Sequence, residues 1–248
     1  MMLAFTAPYC EAIAAQQPAF EVATIKLNQS GAIGGTLPTR SGNRLTATNI
    51  SLQLLLMEAF KMQAFQISGP SWMRSETYDL SAKVEGNPTA GQMRAMFQQL
   101  LEERFSMKIR HEARELPLYS LAIDKGGLKM ETAEGKDCPA PCGEFSVRKS
   151  GLLTGNGVTV DQLAYALSFV LGQTVLDKTG LNGKYNVNIH WTSDELIQEP
   201  GAASPSGTSE GPSLFSAMRE KLGLRLGPGK GPVDTIVIDR AERIPAAN

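Results

Sequence analysis

The chain has 248 residues, 42% hydrophobic and 20% charged, with 24 basic against 25 acidic side chains and a formal net charge of −1. Length and composition are those of a globular protein with a real core, in one large domain or two modest ones. The charge balance argues against a nucleic-acid binder, which needs a basic face, and no stretch approaches the ~18 uninterrupted apolar residues of a membrane span.

Met2 to Ala15 is mostly small or apolar, and Ala12-Ile13-Ala14 or Ile13-Ala14-Ala15 offers a small-residue cleavage site. Residues 1–17 therefore read as a signal peptide, with a short leader as the alternative. No Lys or Arg precedes the apolar stretch, and Pro8 and Glu11 interrupt it; a start placed too far downstream accounts for both. The expectation is a secreted or periplasmic protein.

Phe20 to Leu27 alternates (Phe20, Val22, Thr24 against Glu21, Ala23, Ile25), which predicts an opening strand. Gly31, Gly34, Gly35, Pro38 and Gly42 predict a loop over residues 28–43, and Arg44 to Thr48 a short strand. Ser51 can cap a helix carrying Leu52, Leu55, Leu56, Ala59 and Phe60. Gly69-Pro70 is a turn with Trp72 beyond it, and Tyr78 to Val84 is a strand with Tyr78, Leu80 and Ala82 on one face. Thr89 caps a helix whose Met93, Met96, Phe97, Leu100 and Leu101 fall at helical spacing. Strands are expected at Ser106–Ile109 and Leu118–Asp124, joined by the charged stretch around Arg110, His111, Glu112, Arg114 and Glu115. Asp79 and Lys83 read as surface charge.

Residues 125–144 form a connector holding Cys138 and Cys142, while Cys10 would leave with the signal. A C-x3-C pair in an oxidising compartment reads as a small disulfide loop. Unpaired thiols are one alternative. Metal or redox chemistry is another, although the C-x2-C spacing and two further zinc ligands are missing.

Phe145 to Thr154 supplies one or two strands, and Thr159 with Gln162 fits a capping box ahead of Leu163, Ala166, Leu167, Val170 and Leu171. A strand runs from Tyr185 to His190-Trp191, and residues 200–212 form the Gly/Ser/Pro-rich part of a mobile loop over 193–212. A helix from Leu214 to Leu222 precedes strands Gly223–Leu226 and Thr235–Asp239, joined through Gly227 to Pro232. The order β-α-β-α-β-β thus occurs twice, with Tyr78 27 residues after Ser51 and Tyr185 26 after Thr159. The fold class is α+β: two tandem homologous units, 18–124 and 145–244, with mostly antiparallel sheets.

Through Phe20–Lys26, Gln66–Trp72, Leu101–Phe105, Asp177–Tyr185 and Pro232–Asp239, in that order, the chain resembles a family of secreted or envelope proteins of unknown function. That family is abundant in acidobacteria and other soil bacteria, and the likeness spans about residues 18–244. Similar domains are fused to BlaR-type membrane peptidases or thioredoxin-like domains, so the resemblance implies extracytoplasmic sensing or binding and brings no catalytic residue. Ser213 through Ile238 is also similar to the small periplasmic modules of secretins and TonB-dependent receptors, which bind other proteins.

Ser146-Val147-Arg148-Lys149 matches S-x-x-K and Lys178-Thr179-Gly180 matches K-T-G, as in penicillin-recognising serine enzymes. Ser146 sits in a strand-like stretch, however, where positions three apart point to opposite faces, and no S-D-N separates the motifs. His111 and His190 are the two histidines. Neither accompanies a nucleophile motif, and neither shows metal-ligand spacing. No cofactor motif is present. The expected function is a non-catalytic binding or sensing module, with a protein-interaction module as the alternative and an envelope hydrolase as a remote third. Its ligand or partner in the envelope is undefined. Candidate contact residues are Trp72, Lys178 and Trp191, with the turns Gly69–Trp72 and Lys178–Gly183 flanking a cleft between the units.

Overall fold

The computed structural model describes residues 20–133, 143–148, 151–192 and 212–246. In chain order the elements are β1 (Phe20–Leu27), β2 (Thr36–Ser41), β3 (Arg44–Ser51), α1 (Leu52–Phe60), β4 (Ile67–Ser68), α2 (Trp72–Ser75), β5 (Thr77–Val84), α3 (Ala90–Arg104) and β6 (Lys108–Ile123). They continue as β7 (Glu131–Thr132), β8 (Phe145–Arg148), β9 (Leu152–Val158), α4 (Val160–Leu171), β10 (Thr174–Asp177), β11 (Tyr185–His190), α5 (Leu214–Ala217) and β12 (Leu224–Arg240). The class is the expected mixture of helix and mostly antiparallel sheet. By contact the chain divides into two discontinuous units: residues 1–60, 70–108 and 240–248, and residues 61–69 and 109–239. The expected connector over 125–144 falls within the span of the second unit.

In the first unit an antiparallel sheet runs β1-β5-β3-β2. Alternation in β5 turns Tyr78, Leu80, Ala82 and Val84 inward, where Leu55 and Leu56 of α1 and Phe97 and Leu101 of α3 are buried. The Ser51 hydroxyl accepts the Leu54 N–H at 3.3 Å, and Thr89 and Gln92 form a reciprocal capping box on α3. Tyr78 is fully buried, edge-on to Phe105 with ring centroids 5.0 Å apart, and its hydroxyl donates to the Arg243 carbonyl at 2.9 Å.

The second unit holds a sheet in the order β7-β11-β9-β8 and a further sheet in the order β10-β6-β12-β4. β10 pairs with β6, and β12 with β4, in parallel. Leu153, Leu163, Leu167, Val187, Ile189 and Met218 build its core. A π-helical turn, Met218–Leu222, extends α5. Thr159 and Gln162 form the expected capping box on α4.

The order β1-β5-β3-β2 has the same form as β7-β11-β9-β8. The two sheets also share a bulge device just before a helix cap. Asn49 (φ +50°) gives its N–H to Asp79 Oδ1 at 2.9 Å, and Gly157 (φ +61°) gives its N–H to Asn186 Oδ1 at 3.1 Å. Each side-chain oxygen satisfies a donor that the bulge removes from the ladder. Asp79 also accepts from Asn28 Nδ2 at 2.8 Å, so it is a structural hub rather than ordinary surface charge.

Four sequence expectations give way here. Residues 28–43 contain β2, because Pro38 lies on an outer strand where its missing N–H costs no ladder bond. In β1 the bulge between Phe20 and Val22 leaves Val22 50% exposed, and Ala23 and Ile25 face inward. The stretch 108–123 is one strand, as is 224–240. These two run antiparallel: Arg110 meets Asp239, Thr235 donates to the Glu112 carbonyl, and the Asp124 N–H donates to the Gly223 carbonyl. The Gly227–Pro232 stretch is continuous strand, with Leu118 packed over Gly229 and Gly231. Residues 1–17, Cys138, Cys142 and residues 200–211 lie outside the described residues.

Candidate functional site

Trp72 opens α2 in the first unit and is half-buried, and its carbonyl accepts the Glu76 N–H at 2.9 Å. Lys178 lies in the second unit with its side chain exposed, and its backbone N–H donates to Leu121 O at 2.8 Å. Thr179 donates from both N and Oγ1 to Asp177 Oδ1 at 2.7 Å, and Gly180 adopts φ +71°. The K-T-G sequence is therefore a tight turn held by the preceding aspartate. Trp191 is 2% exposed in the second core, and its indole N–H has no hydrogen-bond partner among the described residues; its ring offers no face to an external ligand. Ser146 is exposed in β8 opposite Thr154, and Lys149 lies outside the described residues.

Among the described residues proton affinities are displaced at three groups. Burial pushes the Tyr78 hydroxyl up to about 12. Glu112 is held below the usual carboxylate range, first by its hydrogen bond from Arg110 and then by that from Arg114. Arg110 is raised in turn by hydrogen bonds to Asp239 and Glu112. His111 sits beside this network with Nδ1 3.3 Å from Asp234. Arg110–Asp239 and His111–Asp234 tie β6 to β12, the Glu112 pairs run along β6 itself, and Tyr78 is held in its core. Among the described residues no group of three or more His, Cys, Asp or Glu could hold a metal ion.

Open space lies beside the first strand of each antiparallel sheet. In the first unit, Phe20, Glu21 and Val22 of β1 face Met96, Gln99 and Glu103 of α3 across a groove of about 360 Å³. At its end Arg104 Nη2 donates to Ala23 O at 3.1 Å. In the second unit a groove of about 250 Å³ is lined by Lys129, Glu131, Asn156, Asn186, Asn188 and Lys221. It exists because β7 has only two residues. Glu131 pairs with Asn186, but the Lys129 N–H turns away to the Leu222 carbonyl at 3.0 Å. None of Trp72, Lys178 or Trp191 lines either groove. The signal that sequence reading passed over is Asn186-Val187-Asn188, where amides alternate with a buried apolar residue.

The fold and its open edges define a mixed α/β protein, and among the described residues no helix is long and apolar enough to cross a membrane. Residues 53–241 match the family described as a protein of unknown function (DUF3738), and the chain belongs to that family. No curated protein and no solved structure matches it.

Proposed function

We propose that the protein is an exported, non-catalytic binding or sensing module. The observation that carries this reading is the pair of grooves beside β1 and β7, in sheets of the same strand order but with different linings. One presents apolar and acidic side chains, the other amides and ammonium groups. A concave surface with a few convergent polar groups is what ligand recognition requires. The displaced proton affinities, by contrast, belong to groups engaged in structural contacts. The apolar N-terminal stretch supports export.

The test is thermal unfolding of the full chain against peptidoglycan fragments, sugars, peptides and metal ions. A ligand at ~100 times its Kd adds about 2.7 kcal/mol, which is a rise of about 5–11 °C at this size. A saturable rise is expected, and a flat panel refutes small-ligand binding. N-terminal sequencing of the protein from its host checks export: the mature chain should begin just after Ala14 or Ala15, and an uncleaved cytoplasmic chain refutes it. A second reading, a protein-interaction module, draws on β1, an eight-residue strand at a sheet edge; a flat panel with a specific envelope partner would favour it.

A further inference from the structure

On the footing that the protein is a binding module, we infer that the groove beside β11 takes the C-terminal end of an extended peptide. The peptide adds to the open edge of β11 and sets its carboxylate against Lys129 and Lys221.

The edge comes first. The Lys184 carbonyl accepts the Ala133 N–H at 2.8 Å, so by strand alternation residues 184, 186 and 188 turn their backbone groups to the same side. Asn186 is covered there by Glu131 of β7. The pairing then stops, and among the described residues no strand continues it past Asn188. Among the described residues no strand lies beside the Asn188 N–H and C=O, which border the groove, the arrangement that strand addition uses.

Charge supplies the end stop. Lys129 Nζ donates to Glu220 O at 3.1 Å, which fixes the ammonium and leaves two of its three donors. Lys221 makes no ion pair among the described residues. Among the described residues Glu131 is the one carboxylate lining the groove, so the described lining carries a modest positive excess suited to a single carboxylate and unsuited to a polyanion. Asn156 and Asn188 each offer a donor and an acceptor for peptide groups. The volume, about 250 Å³, lies below the ~300 Å³ at which ordinary small-molecule pockets begin. It accommodates a terminal residue while the rest of the peptide lies along the strand.

The experiment immobilises the full chain and offers a pool of randomised N-acetylated hexapeptides with free C-termini. The same pool is offered C-terminally amidated and, separately, backbone N-methylated, with retention read by mass spectrometry. Free acids should be retained, and amidation should lower retention about ten- to a hundredfold, the worth of a charge-assisted hydrogen bond. N-methylation and the double change Lys129→Gln/Lys221→Gln should do likewise. Equal retention of amides, or full retention by the double variant, overturns the assignment. If that variant fails to fold, the amidated and N-methylated pools decide alone. No peptide retained, with a thermal rise from glucuronate or another small acid, overturns the peptide assignment and leaves the binding reading standing. No retention and a flat ligand panel together sink both.

Discussion

Gly223 fixes the chain path that opens the groove, and replacing it should be costly in a way that can be dissected. It closes the π-helical turn at φ +66°, with its carbonyl accepting the Asp124 N–H at 2.8 Å, while the neighbouring Leu222 carbonyl accepts the Lys129 N–H at 3.0 Å. A Cβ here would stand 2.0 Å from the Gly127 carbonyl oxygen and 2.8 Å from the Lys129 nitrogen. Both neighbours are backbone, so neither can swing aside. Gly172 closes α4 at φ +63° with nothing within 4 Å of its imaginary Cβ, and so isolates the dihedral cost. Gly172→Ala should lose about 1–2 kcal/mol from left-handed strain alone. Gly223→Ala adds about 1–3 kcal/mol for the forced backbone shift, for a total of about 2–5 kcal/mol. Urea unfolding followed by circular dichroism gives both numbers through the midpoint and slope. Gly223→Asn is the further control, because asparagine tolerates the dihedral but keeps the Cβ, so most of the loss should persist. Equal losses for Gly172→Ala and Gly223→Ala would refute the steric account.

Two other perturbations probe buried polar groups. Tyr78→Phe removes the donor to the Arg243 carbonyl and should cost about 0.5–1.5 kcal/mol in thermal or urea unfolding. Because the folded hydroxyl is raised to about 12 from 10.0, the native state holds its proton more tightly. Its contribution is present below pH 10 and is lost as pH rises towards about 12. Tyr78→Phe should flatten that alkaline decline, and an unchanged slope would show that another group causes it. Ser168 is 5% exposed, donating to Ala164 O at 2.7 Å and accepting the Val175 N–H at 2.8 Å. Ser168→Ala strands that N–H and should cost about 1–3 kcal/mol; a neutral result in urea would mean that the amide finds another acceptor.

The helices were legible because their signals are local. Thr89 and Thr159 each bring glutamine three residues on, and apolar residues follow at helical spacing. Strand β5 was legible because one face is buried and the other is not. Strands β6 and β12 were not, because over Arg110–Glu115 and Gly227–Lys230 no residue is buried, so neither stretch shows a core-facing alternation. The glycines at 227, 229 and 231 did carry period two, but the intervening Pro228, Lys230 and Pro232 give them the look of a loop. The grooves were beyond sequence reading for a different reason. Lys129 and Lys221 are far apart in the chain and carry no motif; what joins them is the early end of β7. Trp72, Lys178 and Trp191 are conspicuous in the sequence because they stand near turns or strand ends, and conspicuousness does not report burial: Trp191 lies in the core.

The sheet β10-β6-β12-β4 also sets a clock on biosynthesis. Ile67 pairs with Ile236, and the neighbouring Gln66–Asp234 hydrogen bond spans 168 residues. At ~5–20 residues per second, about 8–34 s separate the two partners as they leave the ribosome. Throughout that interval β4 has no strand beside it, and Ile67, 3% exposed in the finished protein, lacks its native cover. That sheet can close only once the last strand exists, so its assembly falls at the very end of synthesis.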